Sequence, residues 1–172
     1  NIMLEKAFKE IADYLRCAKY GNMDDLTTFI NSSGDSVKDI DIICQDIIIK
    51  HIKLSAINIV GYISEETKTF VPINRKYLKT KTYGNNGDIE YIIAFDPLDG
   101  SSNMASNINT GTIYALYEYD SINCTIKNII KAGYCLYGPA TLLVETHYDN
   151  TVLKQLGANG EFMFCKNLNI KE

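Results

Sequence analysis

No apolar run in this 172-residue sequence reaches the length of a membrane span; the most hydrophobic stretches, such as IIIKHIKL, meet lysine or histidine within a few residues. Basic charge is not in excess either. Seventeen Lys and Arg stand against 21 Asp and Glu, a formal net charge of −4, which argues against nucleic-acid or polyanion binding. Histidine is scarce, with His51 and His147 alone, and the five cysteines (Cys17, Cys44, Cys124, Cys135 and Cys165) form no C-x-x-C pair. Zinc-type ligation therefore has little support, and the thiols read as reduced, structural groups of a cytoplasmic protein. No secretory signal, internal repeat or low-complexity tract is visible, and the lack of an initiating methionine reads as a missing N-terminal segment. Any metal in such a chain would be held by oxygen.

What is present is enough for one domain over residues 1–172, with 46% apolar residues to build a core. Leu4, Phe8, Ile11 and Leu15 share a helical face, with Gly21 as a stop. The turn NSSGDS leads into a second helix, where Ser36 and Asp39 approximate a capping box. That helix is expected to turn Val37, Ile40, Ile43, Cys44, Ile47 and Ile48 toward a core. Asp41 falls at the edge of the stripe, roughly 90° from its centre, where a carboxylate is expensive unless it has a partner.

Residues 58–64 (NIVGYIS) read as a strand that ends in Glu65-Glu66, and residues 89–95 (IEYIIAF) as a strand that ends in Asp96. Between them, residues 67–88 are polar, carry Arg75, Lys76, Lys79 and Lys81, and read as a loop or an insertion. Residues 111–119 read as a further strand, residues 128–136 as a helix, and residues 140–165 as three short strand-like runs. The expected fold is a layered α+β domain: a mostly antiparallel sheet of five or six strands flanked by helices.

Two apolar strands that each run straight into acid are the first chemical signal. Side by side and parallel, they would gather Glu65, Glu66, Asp96 and Asp99 at one sheet edge. Those carboxylates would repel one another in a cleft, and divalent cations are the economical remedy. The segment FDPLDGSSN, residues 95–103, fits this. Its aspartates are hard oxygen ligands, and its Gly-Ser-Ser tail offers backbone N–H groups to an anion. Asp-Pro and Asp-Gly are also ordinary turn-forming pairs, so the segment taken alone is equally a tight loop after a strand.

FDPLDGSSN, ISEE at 63–66, GDSVKDID at 34–41 and AGYCLYGPATLLV at 132–144 together resemble the N-terminal half of class 1 fructose-1,6-bisphosphatase. The shorter D-P-x-D-G core is similar to the wider group of magnesium-dependent, lithium-sensitive sugar-phosphate phosphatases. The resemblance implies that Glu65, Asp96, the Leu98 carbonyl and Asp99 hold metal, with Asp35 near an additional metal position. It implies that Glu66 and Asp41 position and deprotonate the attacking water, and that Asp99, Gly100, Ser101 and Ser102 wrap the 1-phosphate. It further implies two or three Mg²⁺ ions per site, with Mn²⁺ as the other candidate, a sugar bisphosphate as substrate and a homo-oligomer, typically a tetramer.

The departures are as informative. The chain ends at Glu172, and the family's second half, with a final metal ligand and the grip on the sugar and its 6-phosphate, is expected to be missing. The isolated polypeptide is then expected to be weakly active or inactive and to expose apolar surface. Glu90 and Glu118 fall where AMP-inhibited members carry basic residues, so no AMP inhibition is expected. Two other readings stay open: sedoheptulose-1,7-bisphosphatase, by the same mechanism, and a non-catalytic homologue that keeps the fold as a scaffold or regulatory subunit.

Overall fold

The computed structural model describes residues 2–20, 35–67, 69–73 and 89–169. The expectations for Gly21, the NSSGDS turn, the basic residues Arg75, Lys76, Lys79 and Lys81, and the side chains of Asp35, Ser36, Val37 and Asp39 lie outside what is described.

Helices α1 (Ile2–Tyr20) and α2 (Asp35–Lys53) pack on each other and on one face of a single sheet. The sheet comprises β1 (Ile59–Ser64), β2 (Val71–Pro72), β3 (Glu90–Asp99), β4 (Thr110–Asp120), β5 (Thr125–Tyr137), β6 (Thr141–His147), β7 (Asn150–Leu156) and β8 (Phe162–Leu168). Its order is β2-β1-β3-β4-β5-β6-β7-β8, and only β1 with β3 runs parallel. From β3 onward it is a meander, in which each strand pairs with the next, β3 to β4 across residues 100–109 and the later pairs through short turns. That is the connection antiparallel neighbours permit.

The α+β expectation holds, with eight strands in place of five or six. Residues 128–136 are not a helix but the body of β5, which pairs with β4 and β6 along its length. One further strand was missed for a related reason: part of the 67–88 segment, Val71-Pro72, adds an edge strand to β1. Short strands gain their definition from non-local pairing, which the local pattern does not carry.

The core lies between the helices and the sheet. Leu4, Phe8, Ile11 and Leu15 of α1 are all buried, as their spacing requires. In α2 the buried stripe is Ile40, Cys44, Ile47, Ile48, Ile49 and Ile52, whereas Ile43 turns outward at 37% exposure. Phe8 stacks at a tilt on Tyr114 of β4, with ring centroids 5.4 Å apart, which locks α1 over the middle of the sheet. Alternation along β4 then sends Thr112 and Tyr114 to the helix side and Ile113 to the opposite face, where it is half exposed. That opposite face carries a shallow apolar depression of about 860 Å³ lined by Ile113, Ile129, Tyr134 and Val144 among others.

Candidate active site

The parallel β1–β3 pair does what the sequence pattern asked of it. Ser64 lies opposite Phe95, so Glu65 and Glu66 emerge beside Asp96 at the same sheet end. The Glu65 N–H donates to the Phe95 carbonyl at 3.2 Å, extending the ladder into the acidic turn. Ser64, almost fully buried, accepts the Glu66 N–H on its hydroxyl at 3.4 Å, and Thr67 Oγ1 donates to the Ser64 carbonyl at 3.2 Å. These bonds fix the turn from which both glutamates project into solvent.

Asp96 is half-buried at the edge of β3 and accepts the Leu98 N–H on Oδ1 at 3.0 Å. Burial, then the charge of Glu65 and a hydrogen bond with the Glu65 carboxyl, pushes Asp96 up to about 7. Asp99 adds a smaller push in the same direction. Two carboxyls within hydrogen-bonding reach cannot both ionise without cost, and the shift of Asp96 carries that cost.

Asp41 approaches from α2, beneath the turn. It is 8% exposed and its Oδ1 has no hydrogen-bond partner. Burial pushes its carboxyl up to about 6; a hydrogen bond from the Ser101 hydroxyl works against this, and the charges of Glu66 and Glu65 add to it. The expectation that a carboxylate at this edge needs a partner is therefore half met. Ser101 lies close enough to favour its charged form, but Oδ1 is left without a partner.

The chain reverses at Gly100, whose φ of 73° is the left-handed region open to glycine at little cost. Ser101–Ser106 then wind into a 3-10 helix, tied off by the Asn103 N–H on the Gly100 carbonyl at 2.8 Å. Ser101 is half-buried against Asp41, and Ser102 is exposed.

The structure thus brings Asp41, Glu65, Glu66, Asp96 and Asp99 to one edge, and among the described residues none of the five makes an ion pair. Asp35 stands at the start of α2, with its side chain outside the described set. Among the described residues no three His, Cys, Asp or Glu side chains converge tightly enough to form a closed coordination set. The donor chemistry is nevertheless all hard oxygen. A buried, unpartnered Asp41 Oδ1 and an Asp96 carboxyl pushed up by burial and by Glu65 are the signs of a charge deficit that a divalent cation would fill.

Two functional groups had no local sequence signal. Thr112 of β4 reaches the Pro97 carbonyl of the FDPLDG turn and Tyr137 of β5 reaches Thr112, 15 and 40 residues downstream of Pro97, and only the sheet register brings them there. A second buried constellation was also missed. Glu145 of β6 pairs with Lys131 of β5 and, at 2.6 Å, with Lys154 of β7; Lys154 in turn reaches Glu5 of α1 at 2.8 Å. Its only trace in the sequence is two lysines and one glutamate inside largely apolar runs.

The family described as fructose-1-6-bisphosphatase, N-terminal domain, matches residues 2–167. Among curated relatives, the class 1 fructose-1,6-bisphosphatase of Campylobacter concisus is 35% identical over 167 residues, covering 95% of this chain and 51% of the relative. That of Neisseria meningitidis serogroup B is 36% identical over 143 residues, covering 79% of this chain and 40% of the relative. Isozyme 2 of Rattus norvegicus is 34% identical over 183 residues, covering 100% of this chain and 50% of the relative. The crystal structure of Leishmania major fructose-1,6-bisphosphatase in holo form superimposes with a TM-score of 0.71 at 24% identity, over 96% of this chain and 48% of that one, a likeness of fold. The chain spans about half the length of the curated relatives it matches.

Proposed function

Because this chain belongs to the fructose-1,6-bisphosphatase family, as its N-terminal domain, we propose that it carries the catalytic half of a magnesium-dependent enzyme that hydrolyses the 1-phosphate of fructose 1,6-bisphosphate. The observation that carries the reading is the five-carboxylate edge with a buried, unpartnered Asp41 oxygen and no described counter-charge.

Glu65, Asp96, the Leu98 carbonyl and Asp99 are the residues that would hold metal, with Asp35 assigned to an additional metal position by the family resemblance. Two or three bound Mg²⁺ ions, or Mn²⁺ in their place, would supply the positive charge that lets an anionic phosphoryl group approach carboxylates. Asp41, whose burial pushes its carboxyl up to about 6, would accept a proton from the attacking water, with Ser101 beside it. Glu66, projecting beside it, is the second member of that pair. Gly100 lets the backbone come close to the phosphate, and the Ser101 and Ser102 amides open the 3-10 helix on the side of Asp99, where they would receive its oxygens. The same reading implies a sugar-bisphosphate ligand, a homo-oligomer and a cytoplasmic setting. No helix among the described residues is long and apolar enough to cross a membrane.

The test is phosphate release from fructose 1,6-bisphosphate with Mg²⁺, measured on the 172-residue chain and on the full gene product. Turnover that requires Mg²⁺ and is lost in Asp96→Asn supports the reading. A folded full gene product that binds no Mg²⁺ and releases no phosphate overturns it in favour of a scaffold. Faster turnover of sedoheptulose 1,7-bisphosphate would keep the mechanism and move the substrate.

A further inference from the structure

We propose that Thr112, backed by Tyr137, is the positioning residue of the acidic turn: it pins the Pro97–Leu98 peptide plane, and through it the Asp96 carboxylate. The inference deepens the metal reading above and rests on it for its functional meaning, but the geometry stands by itself.

Asp96 lies opposite Ile113, and Asp99 opposite Gly111, so two residues of β3 face the single residue Thr112 of β4. A two-against-one count is a β-bulge, a device that re-aims side chains at the rim of a sheet. Pro97 sits in it, where a residue without an N–H is tolerated. The Thr112 hydroxyl donates to the Pro97 carbonyl at 2.9 Å. A hydroxyl has one proton, and with that of Thr112 committed to Pro97, the Tyr137 phenol 2.7 Å away donates to Thr112 Oγ1 in turn. Thr112 is fully buried and Tyr137 nearly so, with the buried thiols of Cys44 and Cys135 nearby.

The link to the site is the peptide unit itself. The Pro97 carbonyl and the Leu98 N–H belong to one planar trans group, so holding one end orients the other. The Leu98 N–H is the group that holds Asp96 Oδ1 at 3.0 Å. A chain of three hydrogen bonds therefore runs from Tyr137 through Thr112 and a rigid peptide to the carboxylate. The two hydroxyl bonds are made away from bulk water, where a missing partner is costly and a complete chain is stiff.

Thr112→Val keeps the shape and deletes the hydroxyl, leaving the Pro97 carbonyl and the Tyr137 O–H without their partner. Thr112→Ser keeps the hydroxyl. The first readout is hydrogen exchange at the Leu98 amide in the metal-free 172-residue chain, referenced to the Ile93 amide in the middle of β3; the second is the Kd for Mn²⁺. Thr112→Val should speed Leu98 exchange about tenfold more than Ile93 exchange and weaken Mn²⁺ binding about tenfold. Thr112→Ser should restore both to within about threefold of the parent, and Tyr137→Phe should give a smaller change in the same direction. The variants Thr112→Ser and Tyr137→Phe decide the matter if Thr112→Val does not fold. Equal acceleration at Leu98 and Ile93, or a serine variant as loose as the valine one, overturns the proposal and shows that Thr112 serves only general stability. A parent chain that binds no Mn²⁺ would count against the metal reading instead, and the exchange comparison would still decide the positioning role.

Discussion

Asp96 and Glu145 both sit half or more buried on strands of one sheet, three strands apart, and the chain treats them in opposite ways. Glu145 accepts from Lys131, Lys154 and the Tyr114 hydroxyl, and Lys154 is shared with Glu5, so two cations balance two carboxylates. Asp96 has Glu65 and Asp99 beside it, Asp41 and Glu66 stand at the same edge, and none of the five has a described cation. Burial acts to raise Glu145, but the hydrogen bonds and charges of the two lysines hold it below its ordinary value. Asp96 and Asp41 are pushed up. A protein able to neutralise one buried carboxylate so completely has left another group unneutralised, and the difference marks the second as a place for something from outside. The first region serves the fold, tying α1 to β5, β6 and β7; the second serves chemistry.

The sharpest way to break this contrast is to remove one side of the balanced group. Glu145→Leu would strand buried Lys131, 4% exposed, and should cost about 3–5 kcal/mol in thermal or urea unfolding. Adding Lys131→Met should recover much of that loss, because a filled apolar site replaces an unpaired charge. A cost under about 1 kcal/mol would mean the pair behaves as a surface bridge and the contrast fails.

Neutralising the unbalanced group should do the reverse. Asp96→Asn in the metal-free chain is expected to stabilise it by about 1 kcal/mol, since it relieves repulsion that screening has already weakened. Destabilisation of that size would indicate that the carboxylate already has a partner.

The two regions also respond to pH with opposite sign. Glu145 has a folded-state pKa below its ordinary 4.5, so its contribution is present above that value and is lost as pH falls through the folded value, on the acid side of 4.5. Asp41 and Asp96 stand at about 6 and about 7 against an ordinary 3.8. Unfolding lets them ionise, so their penalty grows as pH rises from 3.8 through those folded values. Melting curves of the metal-free chain should therefore fall away on both sides of mildly acidic pH. Asp96→Asn should flatten only the alkaline limb. A parent profile that is flat from pH 5 to 8 would contradict the shifts.

The smallest expected effect is none. Glu90 and Glu118 occupy neighbouring positions of the paired strands β3 and β4, and Glu118 accepts from Asn128 at 3.2 Å. Both would repel a nucleotide phosphate, and AMP should leave the melting temperature unchanged. A reproducible shift would mean basic residues elsewhere offset them.

How much of this was legible from the sequence divides along the same line. The acidic edge was visible because its signals are local: two apolar strands each ending in acid, and an aspartate at a computable angle on a helix. The parallel register of Ser64 with Phe95 then confirmed their juxtaposition. The balanced group was hidden because its partners are far apart in sequence and meet only through pairing. Lys131 and Glu145 join diagonally across the β5–β6 ladder, where Gly133 opposite Glu145 has no side chain and a Cβ there would lie 3.2 Å from that of Glu145. Residues 128–136, which read as a helix, are the middle of that same ladder. The bulge at Thr112 was invisible for a like reason, because a two-against-one count exists only once two strands are aligned.

The most direct measurement is a calorimetric titration of Mg²⁺ into the chain at neutral pH, repeated on Asp96→Asn. Saturable binding by the parent, lost or weakened at least about tenfold in the variant, is the expected result. A parent that takes up no Mg²⁺, or a variant that binds as well as the parent, would contradict the claim that the unbalanced carboxylates are a cation site.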